Sequence, residues 1–89
     1  MLEKKITIKN KLGLHARAAV KFVNLANHYS ASVKIVKDGN EVDGKSILGI
    51  LTLAASQGTQ IKLVVSGRDE AQAMRALYEL VNNKFGEEE

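Results

Sequence analysis

His15 and Arg17 stand two residues apart in NKLGLHARAAVKF, Asn10 to Phe22, where a glycine-containing loop gives way to a helical apolar pattern. A helix normally opens on Ser, Thr, Asp or Asn, whose side-chain oxygens accept hydrogen bonds from the free amides of the first turn. Histidine does this poorly, so an imidazole there leaves the amides unspent. Those amides and the partial positive charge of the helix end make a ready anion site. The same positive end favours a neutral ring and keeps a nitrogen lone pair available for attack. If the ring took up a phosphoryl group, the amides and the Arg17 guanidinium could receive the new negative charge through charge-assisted hydrogen bonds. Lys11, Lys21 and Lys45 would add positive charge around it. The residue types therefore admit a phosphohistidine. They also admit a surface histidine, a turn glycine at Gly13 and a solvated Arg17, because His-x-Arg alone is a weak motif.

The elements that would position these residues follow from periodicity. KKITIKN alternates, with Ile6 and Ile8 on one side, which is a half-buried strand. From His15 the period changes: Ala16, Ala19, Val20, Val23, Ala26 and Asn27 form a stripe flanked by Phe22 and Tyr29, predicting an amphipathic helix that ends near His28. SASVKIV alternates again, and the Asp38-Gly39 pair after it signals a hairpin joining Val33–Lys37 to Asn40–Asp43. Ser46 is the natural N-cap of a short helix over ILGIL. Ser56–Thr59 is a turn, and Ile61, Leu63 and Val65 are the inward face of a fourth strand. A last helix opens at Asp69 with Gln72 as a capping-box partner, carries Ala73, Met74, Leu77, Leu80 and Val81 inward, and leaves an acidic tail, 86–89, that should fray. Strands with one apolar face need cover on that face only, so the fold class is α+β: a four-stranded antiparallel sheet with three helices on one face. Up to the last helix the same order describes a ferredoxin-like fold, so the order alone does not define function.

The bulk composition narrows the function classes. Eighty-nine residues, 45% hydrophobic and 26% charged, suit one globular domain spanning 1–89. The absence of cysteine excludes a disulfide framework, a thiolate nucleophile and the cysteine-containing zinc sites. The N-terminal MLEKKITIKN lacks the apolar core of a signal peptide, and no apolar run approaches the roughly 20 residues of a membrane span. A cytoplasmic location and no membrane insertion are therefore expected. Residues 1–49 hold nine basic and four acidic groups, leaving +5 there and −2 in the remainder of a chain with net charge +3. Such a bias suits phosphate or acidic partners. Nucleic acid ranks low, since there is no Lys/Arg run and only four aromatics to stack bases. His28 gets no role, and two histidines thirteen residues apart make no metal site.

GLHARAA at the start of the first helix, followed some thirty residues on by DGKSILGILTLAASQGTQIKLVVSG, resembles the HPr family, the histidine-containing phosphocarriers of the bacterial phosphotransferase system. The likeness runs along nearly the whole chain. It implies an open-faced β-sandwich and a phosphocarrier, not a free-standing enzyme, that works without a cofactor. It further implies that His15 accepts a phosphoryl group on Nδ1 from phosphorylated enzyme I and passes it to the A components of sugar permeases, with Arg17 stabilising the charge. Ser46 matches a serine that a dedicated kinase/phosphorylase phosphorylates in the family, and phosphate there would place nearly two negative charges on a docking face. As a plain reading, Ser46 is only a cap. Ile47, Leu48, Ile50, Leu51 and Leu53 go most of the way round a short helix, so some must stay exposed. Ile47, Leu48 and Leu51, with Lys21 and Lys45, are the expected partner face, and Ile50 and Leu53 the sheet face. A monomer is expected.

The chain departs from the family pattern at Ala18, where proline is usual, and more mildly at Gly44 and Ala54, where alanine or a longer residue and glycine, respectively, are usual. The alternative within the same chemistry is a regulatory or nitrogen-linked paralogue, a phosphorylation-dependent binding module outside sugar transport. A module signalling through Ser46 alone could dispense with His15.

Overall fold

A computed structural model describes residues 1–87. The order is β1 (Leu2–Thr7), α1 (Ala16–Ala26), β2 (Ser32–Lys37), β3 (Asn40–Asp43), α2 (Ile47–Thr52), β4 (Gln60–Ser66) and α3 (Glu70–Asn82), followed by a 3₁₀ turn over Lys84–Gly86. The sheet order is β1-β4-β2-β3, and every pairing is antiparallel. The β2–β3 hairpin closes where the sequence signals it. Lys37 pairs with Asn40 across Asp38 at φ 50° and Gly39 at φ 82°, the double positive φ that a tight two-residue turn demands.

One face of the sheet is buried. Ile6, Val33, Ile35, Ile61, Leu63 and Val65 point from it into a core completed by Ala19, Phe22 and Val23 of α1, Ile50 of α2, and Ala73, Leu77 and Val81 of α3. Burying a side chain of this size contributes about 1.5–3 kcal/mol. The opposite face carries ion pairs between Lys62 and Glu3 and between Lys34 and Glu41. The architecture is the open-faced α+β sandwich expected from the alternating strands.

Three expectations need correction. The buried stripe of α1 is Ala18, Ala19, Phe22, Val23 and Ala26. Phe22 lies at its centre, not its flank, and Ala16 and Val20 are exposed. Alanine marks a helix face weakly, so the phase of α1 is decided by where the large Phe22 ring can be buried. Secondly, Asp69 does not cap α3. Its carboxylate leaves the helix to accept the amides of Ser30 and Ala31, each at 2.9 Å, tying the α1–β2 loop to the start of α3. Gln72 is exposed, and Glu70 instead accepts the Gly67 amide at 3.1 Å. Thirdly, the chain does not fray from residue 86. Gly86 closes the final 3₁₀ turn and Glu87 is hydrogen-bonded, while the rest of the acidic tail, Glu88 and Glu89, lies outside the described residues.

Candidate functional site

The loop between β1 and α1 is held by backbone bonds and one buried amide. Asn10 is fully buried, and its Nδ2 donates to the Gly13 carbonyl at 2.7 Å. Gly13 adopts φ 68°, and a Cβ there would lie 2.4 Å from the Ala55 carbonyl oxygen, so only glycine lets the two backbones approach. Leu14 then donates its amide to that same Ala55 oxygen at 2.9 Å. The loop is thereby pinned to the segment after α2, and His15 is delivered in extended conformation to the N-cap of α1.

His15 makes no side-chain cap bond, and its carbonyl accepts the Ala19 amide at 2.9 Å. The amides of Ala16, Arg17 and Ala18 find no partner among the described residues. These are the unspent donors that a histidine at this position implies. The imidazole is 24% exposed and does not hang free, since Nε2 is hydrogen-bonded to Glu87 Oε2. The other carboxylate oxygen, Oε1, accepts Asn10 Nδ2 at 3.1 Å. Burial opposes the charge on Glu87, but the hydrogen bonds from His15 and Asn10, with the Lys21 charge nearby, outweigh it and hold its carboxyl below the usual range. A carboxylate only accepts, so Nε2 carries the proton, and in the neutral ring the lone pair sits on Nδ1. Nδ1 has no hydrogen-bond partner among the described residues.

The other expected site residues divide. Arg17 is exposed and makes no hydrogen bond or ion pair among the described residues. Lys21 is committed within the chain, its Nζ donating to the Phe85 carbonyl at 2.7 Å, and Lys45 donates to the Tyr29 carbonyl at 2.8 Å. Ser46 caps α2, its Oγ accepting the Gly49 amide at 3.0 Å. Around α2, Ile47 is 37% and Leu48 75% exposed, Leu51 is half-buried against the core, and Ile50 and Leu53 are buried. Leu12 and Val20 are also exposed apolar groups; periodicity assigns Val20 to the inward stripe of α1, and it does not single out Leu12. Nor does it single out Asn10 or Glu87. Asn10, between Lys9 and Lys11, carries no periodic signal, and Glu87 falls in the acidic tail expected to fray. His28 bonds the Asn24 carbonyl at 2.8 Å, and no group of three metal-ligating side chains occurs among the described residues.

The sequence profile of the family described as "PTS HPr component phosphorylation site" matches residues 2–83. The chain belongs to the HPr family. It is 52% identical over its full length, and over the relative's full length, to a phosphocarrier protein HPr of Neisseria meningitidis serogroup A. Among solved structures it matches an HPr of Thermoanaerobacter tengcongensis at 48% identity with a TM-score of 0.96, covering all of both chains. An HPr dimer from the same organism matches at 48% identity with a TM-score of 0.78, covering 98% of this chain and 100% of that one. The shared architecture is the open-faced sandwich of HPr, and the chain is an HPr phosphocarrier of the PTS.

Proposed function

We propose that His15 is the phosphoryl acceptor and donor of this phosphocarrier. The observation that carries the reading is His15 itself: an imidazole at an uncapped helix start, its Nδ1 open and three helix amides beside it unspent. The donor is phosphorylated enzyme I and the acceptors are A components of sugar permeases. The Nδ1 lone pair attacks phosphorus, the bond from phosphorus to the donor breaks, and its electron pair leaves with the donor group. The amides of α1 and the exposed Arg17 guanidinium then receive the phosphate oxygens. No cofactor enters, and the role is that of a carrier, not of a free-standing enzyme.

Exposed Ile47 and Leu48 beside the Ser46 cap support a regulatory face on the same molecule. Phosphate on Ser46 Oγ, added by a serine kinase, would place nearly two negative charges next to these apolar groups and oppose docking. This also supports the second reading, a regulatory or nitrogen-linked paralogue read by other proteins. On this reading the protein works in the cytoplasm, as a monomer. No helix among the described residues is long and apolar enough to cross a membrane. Sedimentation at several concentrations tests the monomer against the dimeric relative.

The test is incubation with enzyme I and phosphoenolpyruvate, then separately with ATP and a serine kinase. The wild type should gain acid-labile phosphate in the first and acid-stable phosphate in the second. His15→Ala should lose the first gain entirely and keep the second. Acid-labile phosphate on His15→Ala would refute the assignment.

A further inference from the structure

The segment after α3 turns back on itself. Lys84, Phe85 and Gly86 all have positive φ, 58°, 57° and 78°, an unfavourable run for two residues that bear a Cβ. Backbone of this kind persists only where its surroundings over-determine it. Here the Phe85 ring is 1% exposed in the core, the Phe85 carbonyl accepts Lys21 Nζ at 2.7 Å, and the Lys84 carbonyl accepts the Glu87 amide at 2.9 Å. The result is a fixed strap crossing the start of α1. It ends with the Glu87 side chain 16% exposed and both carboxylate oxygens engaged, one on His15 Nε2 and one on Asn10 Nδ2. Asn10 also holds the Gly13 carbonyl, so one buried amide joins the strap to the loop that delivers the histidine.

Resting on the assignment of His15 as phosphoryl acceptor, we infer that Glu87 is a positioning residue for the transfer, holding the imidazole by its Nε2 proton so that Nδ1 faces the incoming phosphorus. The charge balance gives it a second part. A neutral ring that attacks through Nδ1 and retains its Nε2 proton becomes an imidazolium, while the transferred group carries the negative charge on its three oxygens. A carboxylate on the far side of the ring offsets that developing positive charge, as an acidic residue does behind a catalytic histidine. No proton has to leave during the step. Arg17 and the helix amides act on the phosphate side of the ring, and Glu87 on the other.

The experiment compares wild type, Glu87→Ala, Glu87→Gln and His15→Ala in two measurements. One is the rate of phosphorylation by enzyme I and phosphoenolpyruvate. The other is the NMR signal of the His15 Nε2 proton at a pH where the ring is neutral. The wild type should show an Nε2 proton protected from solvent exchange. Glu87→Ala should lose that protection and accept phosphate about tenfold more slowly, the lower end of what is lost when the group orienting a metal-bound histidine is removed. Glu87→Gln keeps an acceptor oxygen without the charge, so it should retain partial protection and fall between the two in rate. If Glu87→Ala accepts phosphate at the wild-type rate, or faster, the positioning role is overturned, and the faster result would make the strap an obstruction. An unprotected Nε2 proton in the wild type would overturn it as well. Each of these outcomes leaves the His15 assignment standing if His15→Ala remains inert. A wild type that accepts no phosphate would instead remove both.

Discussion

Ala54, just beyond α2, is held at φ 49°, in the left-handed region that costs a residue with a Cβ about 1–2 kcal/mol. It is exposed, so its methyl group contributes little packing in return. Ala54→Gly should therefore stabilise the protein by about 1 kcal/mol even after the unfolded chain gains freedom, as measured by urea unfolding. A glycine, which the family resemblance leads one to expect here, would adopt this φ without that cost. Ala18 is a different case. It is the third residue of α1, where the amide has no helical partner to lose, so proline and alanine both suit the backbone. Alanine, however, retains an N–H that proline lacks, and that N–H points from the helix start with those of Ala16 and Arg17. Alanine in place of the expected proline thus adds a donor to the anion site.

Among the elements, the 3₁₀ turn over Lys84–Gly86 is small but strongly anchored. Phe85→Ala removes a fully buried ring and should cost about 3 kcal/mol in denaturant unfolding, as for other buried phenylalanines. Because the ring also fixes the strap, the same variant should lose the protected Nε2 proton of His15 without any change at Glu87. Much of the element layout was legible in the residues. Asp38-Gly39 announced the hairpin, Ser46 announced α2, and Ile61, Leu63 and Val65 announced the inward face of β4. His15 was legible because a poor cap stood where a good one belongs. Glu87 was not, because its partner is 72 residues away and the connection depends on left-handed backbone at Lys84 and Phe85, which neither residue type advertises. Asp69 misled for a related reason: an acidic residue at a helix start looks like a cap whether its carboxylate turns to its own helix or to a neighbouring loop.

For the whole molecule, three carboxylates set the response to acid. Asp69 is held below its ordinary value of 3.8, chiefly by the Ser30 amide, with burial opposing and the Ala31 amide assisting. Glu70 is held below 4.5, chiefly by the Gly67 amide. Glu87 is also below 4.5, its hydrogen bonds and neighbouring charges outweighing burial. A folded-state pKa below the unfolded one gives stability that is present above the unfolded value and lost as pH falls through the folded one. The melting temperature should thus be level near neutrality and fall as pH drops below the ordinary carboxylate values. Asp69→Asn should flatten that fall, and a steeper fall in the variant would contradict the role given to its loop bonds.

The strap has a practical consequence for anyone handling this protein. Whatever is joined to the chain shortly after Glu87 is tethered beside the imidazole. A short polyhistidine tag in that place would bring rival imidazoles to the acceptor and could collect phosphate meant for His15, whereas an environment-sensitive dye there would become a reporter of the arrival and departure of charge on the ring.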